Sequence, residues 1–338
     1  MMSVIGWDVG GANIKAAYVS RRNGGRLVQT ASRPFEIWRG KESLPEALRS
    51  VASDLPPGEA TAVTMTAELS DAFRSKREGV DFVLDAMDGV TPGSLAVFTT
   101  GGGFVDAATA RARPLEVAAS NWAATALVVT RHLSEAILVD VGSTTTDVIP
   151  IHAGRVAARG RTDPERLLHG ELVYTGAVRT NVAAIVSRVP LWGGECPVAA
   201  EYFAVSGDAH LLLGSLDSED YTCPTPDGRP ATPAFAAERL ARVVCADGEM
   251  LGQQEIERIA RAVAEAQLSQ IASAISVVAA GFPSPPEAVV TGQGAFLARG
   301  AAQRCGLTSR DLSSLLGVDV GIAAPAVAVA WLLLASTG

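Results

Sequence analysis

Two aspartates in this chain each end an apolar run and are followed at once by a glycine turn. Asp8 lies in "VIGWDVGGANIKAAYV", and Asp140 lies in "AILVDVGSTTTDVIPI". A turn without bulky side chains lets backbone N–H groups approach an anion. A carboxylate beside that turn can hold Mg²⁺, a hard cation that also takes phosphate oxygens. Each stretch therefore predicts a phosphate-binding hairpin with a metal-binding aspartate at its start.

The two stretches are copies of one strand–turn–strand unit. When Asp8 is placed on Asp140, the small and polar positions of one copy fall on those of the other. Such an internal repeat predicts two related lobes whose facing hairpins clamp a polyphosphate and its Mg²⁺. Lys15 has a second interpretation, as a surface residue of its strand. The predicted phosphate-binding positions of the two copies are Gly10, Gly11, Asn13, Lys15, Gly142, Ser143, Thr144 and Thr145.

A third glycine turn occurs late in the chain, in "VVTGQGAFLARG". Gly292 and Gly294 flank Gln293 where a predicted strand gives way to a predicted helix, and a helix N-terminus favours an anion or a nucleotide. The spacing is not G-x-G-x-x-G, and G-x-x-x-x-G-K-[ST] occurs nowhere in the chain. The Rossmann and P-loop classes are therefore excluded on pattern.

The elements that must position these turns alternate between strands and helices, which predicts an α/β fold. The first third predicts strands at "VIGWDV", "IKAAYV", "RLVQTAS", "ATAVTMT" and "SLAVFTT". Between them, it predicts helices at "KESLPEALRSVASDL", "LSDAFRSKREGVDFVLDAM" and "NWAATALVVTRHL". The pattern restarts with strands at "AILVDV", "TDVIPIH" and "RVAARG" and continues with helices at "PAFAAERLARVVC" and "GQQEIERIARAVAEAQLSQIASAISVVAAG".

The restart divides the chain into two predicted lobes, residues 1–133 and residues 134–324. Residues 161–233 are rich in Gly, Pro and Thr, which predicts loops and short helices that cover a site. The late glycine turn, 291–295, belongs to the second lobe. The helix predicted over 325–338 is expected to pack back onto the first lobe.

Composition narrows the class of protein. The chain has 338 residues, of which 48% are apolar, and a formal net charge of −8, which argues against a nucleic-acid surface. The four cysteines show no C-x-x-C spacing, so a zinc site is not expected. Four isolated cysteines are typical of a protein in the reducing cytoplasm. No signal peptide is evident, and the apolar stretch "APAVAVAWLLLAS" is too short to span a bilayer. The expectation is a cytoplasmic enzyme without membrane or nucleic-acid partners.

The three glycine turns, in this order, resemble the two phosphate motifs and the adenosine motif of the actin, sugar kinase and Hsp70 ATPase superfamily. The N-terminal segment is closer to the hydantoinase/oxoprolinase branch than to actin or hexokinase. The resemblance implies two ribonuclease H-like lobes with an interlobe cleft. Where many nucleotide-binding members have a run of glycines, this chain has Gln293. That departure mildly favours a ligand other than a nucleotide.

Most of the chain to about residue 187 resembles one short family of that branch, linked to tetrahydromethanopterin-dependent C1 transfer. The stretches that carry the resemblance are "IGWDVGGANIKAA", "MTAELSDAFRSKREGV", "NWAATA", "DVGSTTTDVIPI" and "GELVYTGAVRTNVAAI". It implies the synthase reaction of methanofuran or methylofuran biosynthesis. There, a furylmethyl diphosphate is joined to a tyramine- or tyrosine-derived phenol, forming an ether and releasing pyrophosphate. The implied cofactor is Mg²⁺.

That reaction would give particular residues their roles. Mg²⁺ near Asp8 and Asp140 would stabilise the charge that develops on the diphosphate. A phenol has a pKa of about 10 and needs a base or a positioned approach. Asp147, Glu171 and Asp71 are the candidate bases, and Asp147 joins the two metal-binding aspartates as a predicted catalytic residue. Side chains expected around the organic substrate, each with a structural role as its alternative, are Glu68, Asp71, Asn121, Trp122, Glu171, Tyr174 and Arg179.

Two other functions use the same motifs. An ATP-dependent small-molecule kinase or oxoprolinase-like hydrolase would bind Mg–ATP at the hairpins, with a carboxylate as base. A non-catalytic module would use the clamp as a nucleotide-dependent hinge. The long helix that starts at "GQQEIERIARAV" has an alanine-rich face. That face permits packing within a lobe or in a homo-oligomer, and the sequence does not choose between them.

Overall fold

The computed structural model describes residues 2–22, 25–91 and 94–336. Within these ranges the strands are β1 Ser3–Val9, β2 Asn13–Arg22, β3 Gly25–Pro34, β4 Ala60–Met65, β5 Leu95–Phe98, β6 Phe104–Val105, β7 Ala136–Val141, β8 Thr146–His152, β9 Arg155–Val156, β10 Leu172–Val173, β11 Arg188–Leu191, β12 Gly194–Pro197, β13 Glu287–Thr291 and β14 Ser309–Asp311. The α-helices are α1 Ile37–Gly40, α2 Leu44–Ala52, α3 Lys76–Asp88, α4 Ala107–Ala112, α5 Pro114–Val117, α6 Asn121–Val129, α7 Asp163–Leu168, α8 Val182–Ile185, α9 Ser206–Leu212, α10 Pro233–Arg242, α11 Gln253–Ala279, α12 Ala295–Arg304, α13 Leu312–Leu316 and α14 Ala324–Ser336.

The first sheet has the strand order β3-β2-β1-β4-β5-β6. The strand β2 pairs antiparallel with both β1 and β3, whereas β4 pairs parallel with β1 and with β5. Parallel pairing needs a crossover, and α1 and α2 supply it between β3 and β4. The carboxyl ends of β1 and β4 therefore lie at the same edge of this sheet.

The second sheet repeats that plan with the strand order β10-β8-β7-β13-β14, and β9 also pairs with β8. Its hairpin is formed by β7 and β8, and β13 joins the free side of β7 much later in the chain. All six residues of β7 are buried, as expected of an apolar run in a central strand. The internal repeat predicted from the sequence thus appears in the strand order of both sheets.

The apolar stretch near the C-terminus forms α14, which packs against β1, β2 and β4. Gly6 makes the close approach to β1 possible, because a Cβ there would collide with the carbonyl oxygen of Ala326. The prediction placed a helix over 325–338. Of that segment, residues 337 and 338 lie outside the described residues.

One predicted helix is shorter than expected. The sequence predicted a helix over 69–87, but α3 begins only at Lys76. Ser75 caps it, since the Ser75 side chain accepts a hydrogen bond from the Glu78 N–H at 3.2 Å. The residues before it form a 3-10 turn, Ala67–Leu69, followed by irregular chain. The predicted strand "RVAARG" is likewise reduced to the two residues of β9.

The chain separates into two compact units that are both discontinuous in sequence. The first unit comprises Met1–Leu138, Ile149–His169 and Arg310–Gly338, and the second comprises Val139–Val148 and Gly170–Ser309. These units are groups of residues in mutual contact. The predicted division into lobes at residue 133 stays a prediction.

The helix α11 is long and apolar enough to cross a membrane by length and composition alone. An 18-residue stretch of this helix has a mean hydropathy of 1.3, and 39% of that stretch is buried. The helix packs against α9, α10 and α12. A core helix of a soluble protein has the same properties, and these contacts favour that interpretation.

Candidate functional site

The first hairpin, between β1 and β2, brings the predicted aspartate opposite the predicted lysine. Asp8 and Lys15 are partners in the antiparallel register, and the Lys15 Nζ lies 3.4 Å from an Asp8 carboxylate oxygen. Asp8 is buried, with 3% of its surface exposed. The turn closes with a hydrogen bond of 3.0 Å from the Gly10 N–H to the Asn13 carbonyl. The first copy therefore holds a buried, ion-paired carboxylate at a tight glycine turn.

The loop after β4 lies beside this turn. The Thr66 N–H donates to the Val9 carbonyl at 3.0 Å, and a Cβ on Gly11 would lie 3.9 Å from the Ala67 Cα. The 3-10 turn Ala67–Leu69, which carries Glu68, therefore adjoins the Gly10–Gly11 turn. Both are at the carboxyl edge of β1 and β4, the edge at which open α/β sheets bind ligands.

The second hairpin, between β7 and β8, closes with the same turn. The Gly142 N–H donates to the Thr145 carbonyl at 2.9 Å, which matches the bond between Gly10 and Asn13 in the first hairpin. The Ser143 carbonyl accepts the Arg179 N–H at 2.9 Å, so the segment after β10 packs on this turn. The Arg179 guanidinium lies 3.4 Å from the Thr144 hydroxyl. The structure thus places a predicted substrate residue, Arg179, beside the second phosphate turn.

The third glycine turn is assembled onto the second hairpin within the same unit. Gly292 has a φ of +90°, and a Cβ there would collide with a carboxylate oxygen of Asp140. The Gly294 N–H donates to the Val141 carbonyl at 2.8 Å. Gln293, between the two glycines, uses its amide N–H groups on the Asp220 carbonyl and the Thr222 hydroxyl. Two predicted motifs distant in sequence therefore form one cluster.

The three candidate bases differ in burial. Asp147 and Glu171 are buried, on β8 and just before β10, whereas Asp71 is exposed. Tyr174, another predicted substrate residue, is 59% exposed. Burial suits Asp147 and Glu171 better than Asp71 for chemistry that excludes water.

Glu68 is the predicted substrate residue with the most unusual surroundings. It is 1% exposed, and neither carboxylate oxygen has a hydrogen-bond partner among the described residues. Burial raises the pKa of Glu68 to about 7, against the opposing effect of Lys76 and of nearby backbone N–H groups. The Lys76 Nζ lies 3.8 Å from Glu68 and 2.7 Å from Asp163. The carboxyl of Glu68 therefore titrates near neutral pH beside the ammonium group of Lys76, which also pairs with Asp163.

Trp122 lies next to the charged residues around Glu68, which are Lys76, Asp163 and Arg166. It is 2% exposed, and its indole N–H is buried without a hydrogen-bond partner among the described residues. The guanidinium of Arg166 lies 4.5 Å from the centre of the Trp122 ring system and 3.8 Å from Asp163. Asn121, predicted next to it, is the first residue of α6 and is half-buried.

Sequence reasoning did not identify the charged residues of this cluster. Lys76 stands in the quoted stretch "MTAELSDAFRSKREGV", so a signal for it was present. Asp163 and Arg166 come from α7, in the region predicted as covering loops, and no local pattern links them to Glu68. Their proximity is a product of the tertiary fold.

A second buried ionic network lies in the second unit and was also missed. The Arg239 Nη2 lies 2.7 Å from Asp208, and both side chains are fully buried. The Tyr221 hydroxyl donates to Asp208 at 3.1 Å. Because Tyr221 lies between Asp220 and Thr222, this network and Gln293 anchor the same loop from two sides. That loop is held over the third glycine turn.

Asp8 and Asp140 suit Mg²⁺ only if a bound substrate supplies further oxygen atoms to the metal. The described residues contain no group of three or more His, Cys, Asp or Glu side chains placed to hold a metal. Mg²⁺ is commonly held by one or two carboxylates together with waters and substrate phosphates. Buried carboxylates at glycine turns, such as Asp8 and Asp140, match that donor set.

Comparisons with known proteins agree with the fold. The profile of the hydantoinase/oxoprolinase family matches residues 59–335. Among solved structures, nucleotide-free acetone carboxylase resembles the chain with a TM-score of 0.54 and 11% identity, over 90% of this chain and 67% of that one. The predicted α/β fold is confirmed, and it is the fold of that structure. The predicted interlobe cleft stays a prediction.

Two curated relatives carry one and the same name, (4-{4-[2-(γ-L-glutamylamino)ethyl]phenoxymethyl}furan-2-yl)methanamine synthase. The protein from Methanocaldococcus jannaschii is 34% identical over 98% of this chain and 97% of its own length. The protein from Methanococcus vannielii is 33% identical over 58% of this chain and 90% of its own length. The chain therefore belongs to the hydantoinase/oxoprolinase family and to the enzyme family of these two synthases.

Proposed function

We propose that this enzyme joins a furylmethyl diphosphate to a tyramine- or tyrosine-derived phenol, forming an ether and releasing pyrophosphate in methanofuran or methylofuran biosynthesis. The observation that carries the proposal is the identity of 34% over nearly the whole length of both chains. The name of that relative describes a product in which a phenoxymethyl ether links a substituted phenyl ring to a furan.

The proposed chemistry is a substitution at the furylmethyl carbon. The bond from that carbon to the diphosphate oxygen breaks, and its electron pair leaves with the diphosphate. The phenol oxygen forms the new bond to carbon and gives its proton to a base. The furan ring delocalises the positive charge that develops on carbon. The protein has to stabilise the leaving diphosphate and to deprotonate the phenol.

The hairpins suit the first task. The backbone N–H groups of Gly11 and Ser143 are the donors proposed for diphosphate oxygens. The N–H groups of Gly10 and Gly142, which the sequence also suggested as donors, instead close their own turns. Arg179, beside the Thr144 hydroxyl, adds a positive charge at the second hairpin. When bound, Mg²⁺ would supply charge neutralisation to the diphosphate, with the two hairpin aspartates as its proposed protein ligands.

The bonds of Gln293 support a ligand without an adenine base. Its amide N–H groups already hold the loop that contains Asp220 and Thr222. A side chain engaged in this way anchors that loop instead of offering donors to a base. A kinase or an ATP-dependent hydrolase remains the alternative that an experiment must exclude.

A pyrophosphate-release assay tests the proposal. The purified protein, Mg²⁺ and aminomethyl-furylmethyl diphosphate are incubated with and without γ-glutamyltyramine, and the protein is separately incubated with ATP. We expect pyrophosphate and ether only when the phenol is present, without any need for ATP. ADP formation, or turnover only with ATP, would overturn the proposal in favour of the kinase and hydrolase alternative.

A further inference from the structure

Glu68 lies at the same edge of the first sheet as the Gly10–Gly11 turn. It follows β4 in the 3-10 turn that lies against the Gly10–Gly11 turn, at the carboxyl edge of two parallel strands. The helix α3 fixes the turn from the other side, because Gly79 leaves no room for a Cβ, which would come 2.5 Å from the Glu68 Cα. The backbone that carries Glu68 is therefore held in place on both sides.

The Glu68 side chain carries a buried hydrogen-bonding capacity that the described residues leave unused. Neither carboxylate oxygen makes a hydrogen bond of normal geometry to the described residues, although the residue is 1% exposed and the backbone N–H groups of Glu68 and Ala119 are near enough to lower its pKa. Within the same ranges, the buried indole N–H of Trp122 has no hydrogen-bond acceptor. A buried polar group without partners costs free energy, so such groups in a folded chain call for an explanation. A ligand that offers an O–H group would satisfy the carboxylate.

The charges around Glu68 belong to the first unit. Lys76, from α3, is 3.8 Å away, and it pairs more closely with Asp163 of α7 at 2.7 Å. Arg166, also of α7, follows behind Asp163 at 3.8 Å. The positive charge of Lys76 stabilises the ionised carboxylate, while burial and Asp163 oppose ionisation. The balance leaves a carboxyl that can both take up and release a proton near neutral pH.

From this geometry we propose that Glu68 is the general base that takes the phenol proton. The inference rests on the proposed function. In the step, the phenol O–H bond breaks and its proton goes to a Glu68 carboxylate oxygen. The phenol oxygen then bonds to the furylmethyl carbon while the electron pair of the carbon–oxygen bond leaves with the diphosphate. Atoms and charge balance without any further reactant.

Lys76 is the partly exposed neighbour of the buried carboxylate. Its side chain is 21% exposed, and its ammonium group lies 3.8 Å from Glu68 and 2.7 Å from Asp163. In the proposed step, Lys76 moves further onto Asp163 and the phenol hydroxyl takes its place next to Glu68.

The test compares Glu68→Gln with Glu42→Gln, which removes an exposed carboxylate of the first unit. Ether formation is measured from pH 5.5 to 9 with γ-glutamyltyramine and with its ring-nitrated analogue, whose phenol ionises near neutral pH. We expect kcat/KM of the wild type to fall below about pH 7. Glu68→Gln should lower kcat/KM by about 10²–10⁴-fold and abolish this dependence. Glu42→Gln should leave both unchanged.

The nitrated phenol separates a base from a structural residue. The nitrated phenol loses its proton more easily and depends less on a base. With this substrate, kcat/KM of Glu68→Gln should therefore be closer to that of the wild type by a factor of at least about ten. A variant that is equally slow with both phenols, or that keeps kcat/KM within about threefold of the wild type, would overturn the role of Glu68 as base. A wild type that forms no ether would instead overturn the proposed function, and the base with it.

Discussion

At the scale of single residues, the chain buries charge in both of its compact units. Glu68 is buried beside a cation that it shares with Asp163. Asp208 is buried with Arg239, and burial raises the pKa of Asp208 even though the guanidinium donates to it. Buried ionised groups are expensive unless they are paired, so each arrangement makes a distinct prediction for stability.

The first prediction concerns Glu68 and pH. The pKa of Glu68 is about 7 in the folded chain against 4.5 ordinarily, so the folded state holds a proton that the unfolded state has lost between these values. Its contribution to stability is complete below about pH 4.5 and is lost as the pH rises through 7, a difference of about 3 kcal/mol. Glu68→Gln should remove that dependence, so the variant gains stability relative to the wild type at pH 8.

Urea unfolding at pH 5 and at pH 8 measures this difference, with Asp71→Asn as the control for an exposed carboxylate. If the wild type and Glu68→Gln lose stability in parallel between these pH values, the carboxyl of Glu68 does not titrate near neutral pH in the folded chain.

The second prediction concerns the buried ion pair of the second unit. Asp208→Asn should lower the free energy of unfolding by about 3 kcal/mol, because the fully buried guanidinium of Arg239 loses its buried carboxylate and keeps only Asp227, 3.1 Å from its Nη1. Asp217→Asn, an exposed substitution nearby, should change it by less than about 0.5 kcal/mol. Urea unfolding of both variants at pH 7 is the measurement. Equal stabilities would show that the pair contributes nothing.

At the scale of elements, glycines decide how closely helices approach their neighbours. Gly79 of α3 faces the 3-10 turn that carries Glu68, whereas Gly300 of α12 faces the end of the flexible Leu268 side chain at 3.0 Å. Glycine inside a helix is ordinarily worse than alanine by about 1 kcal/mol. Packing therefore determines whether alanine helps at each of these positions.

The third prediction is that the two helical glycines respond in opposite ways to alanine. Gly79→Ala should destabilise the chain by about 2 kcal/mol or more, because the new methyl group meets backbone atoms that cannot move aside. Gly300→Ala should lie within about 1 kcal/mol of the wild type, since Leu268 can change rotamer. Thermal and urea unfolding compare the variants. Stabilisation by Gly79→Ala would contradict the close packing of α3 on the turn.

At the scale of the whole molecule, each compact unit contains one hairpin with a buried aspartate, and both hairpins close with the same hydrogen bond. The fourth prediction rests on the proposed function, in which the leaving diphosphate needs both aspartates. Asp8→Asn and Asp140→Asn should each lower kcat/KM for ether formation by about 10²–10³-fold. The double variant should be much less impaired than the product of the two effects.

Kinetics of the two single variants and the double variant at saturating Mg²⁺ measure this coupling. Gly103→Ala, whose new methyl group would meet no atom within 4 Å, serves as a control that should stay active. Strictly multiplicative losses would mean that the two hairpins act on separate ligands.

Much of the fold and part of the site could be predicted from local patterns. The apolar runs that end in Asp8 and Asp140 specify strands, and the following glycines specify tight turns, so both hairpins appear where the repeat placed them. The start of α3 was predicted too early, because the cap at Ser75 and the 3-10 turn before it compete with a longer helical pattern. Local propensity does not resolve such a competition.

What the sequence by itself determined is the set of elements, the repeat, and the family, since all three are encoded by residues close together along the chain. Only the tertiary structure decided which distant side chains share a site. Burial raises the pKa of Glu68 to about 7, with Lys76 opposing the rise and Asp163 adding to it. Gln293 becomes an anchor because the loop of Asp220 reaches it. Burial and charge depend on neighbours in space, and no spacing along the sequence reports them.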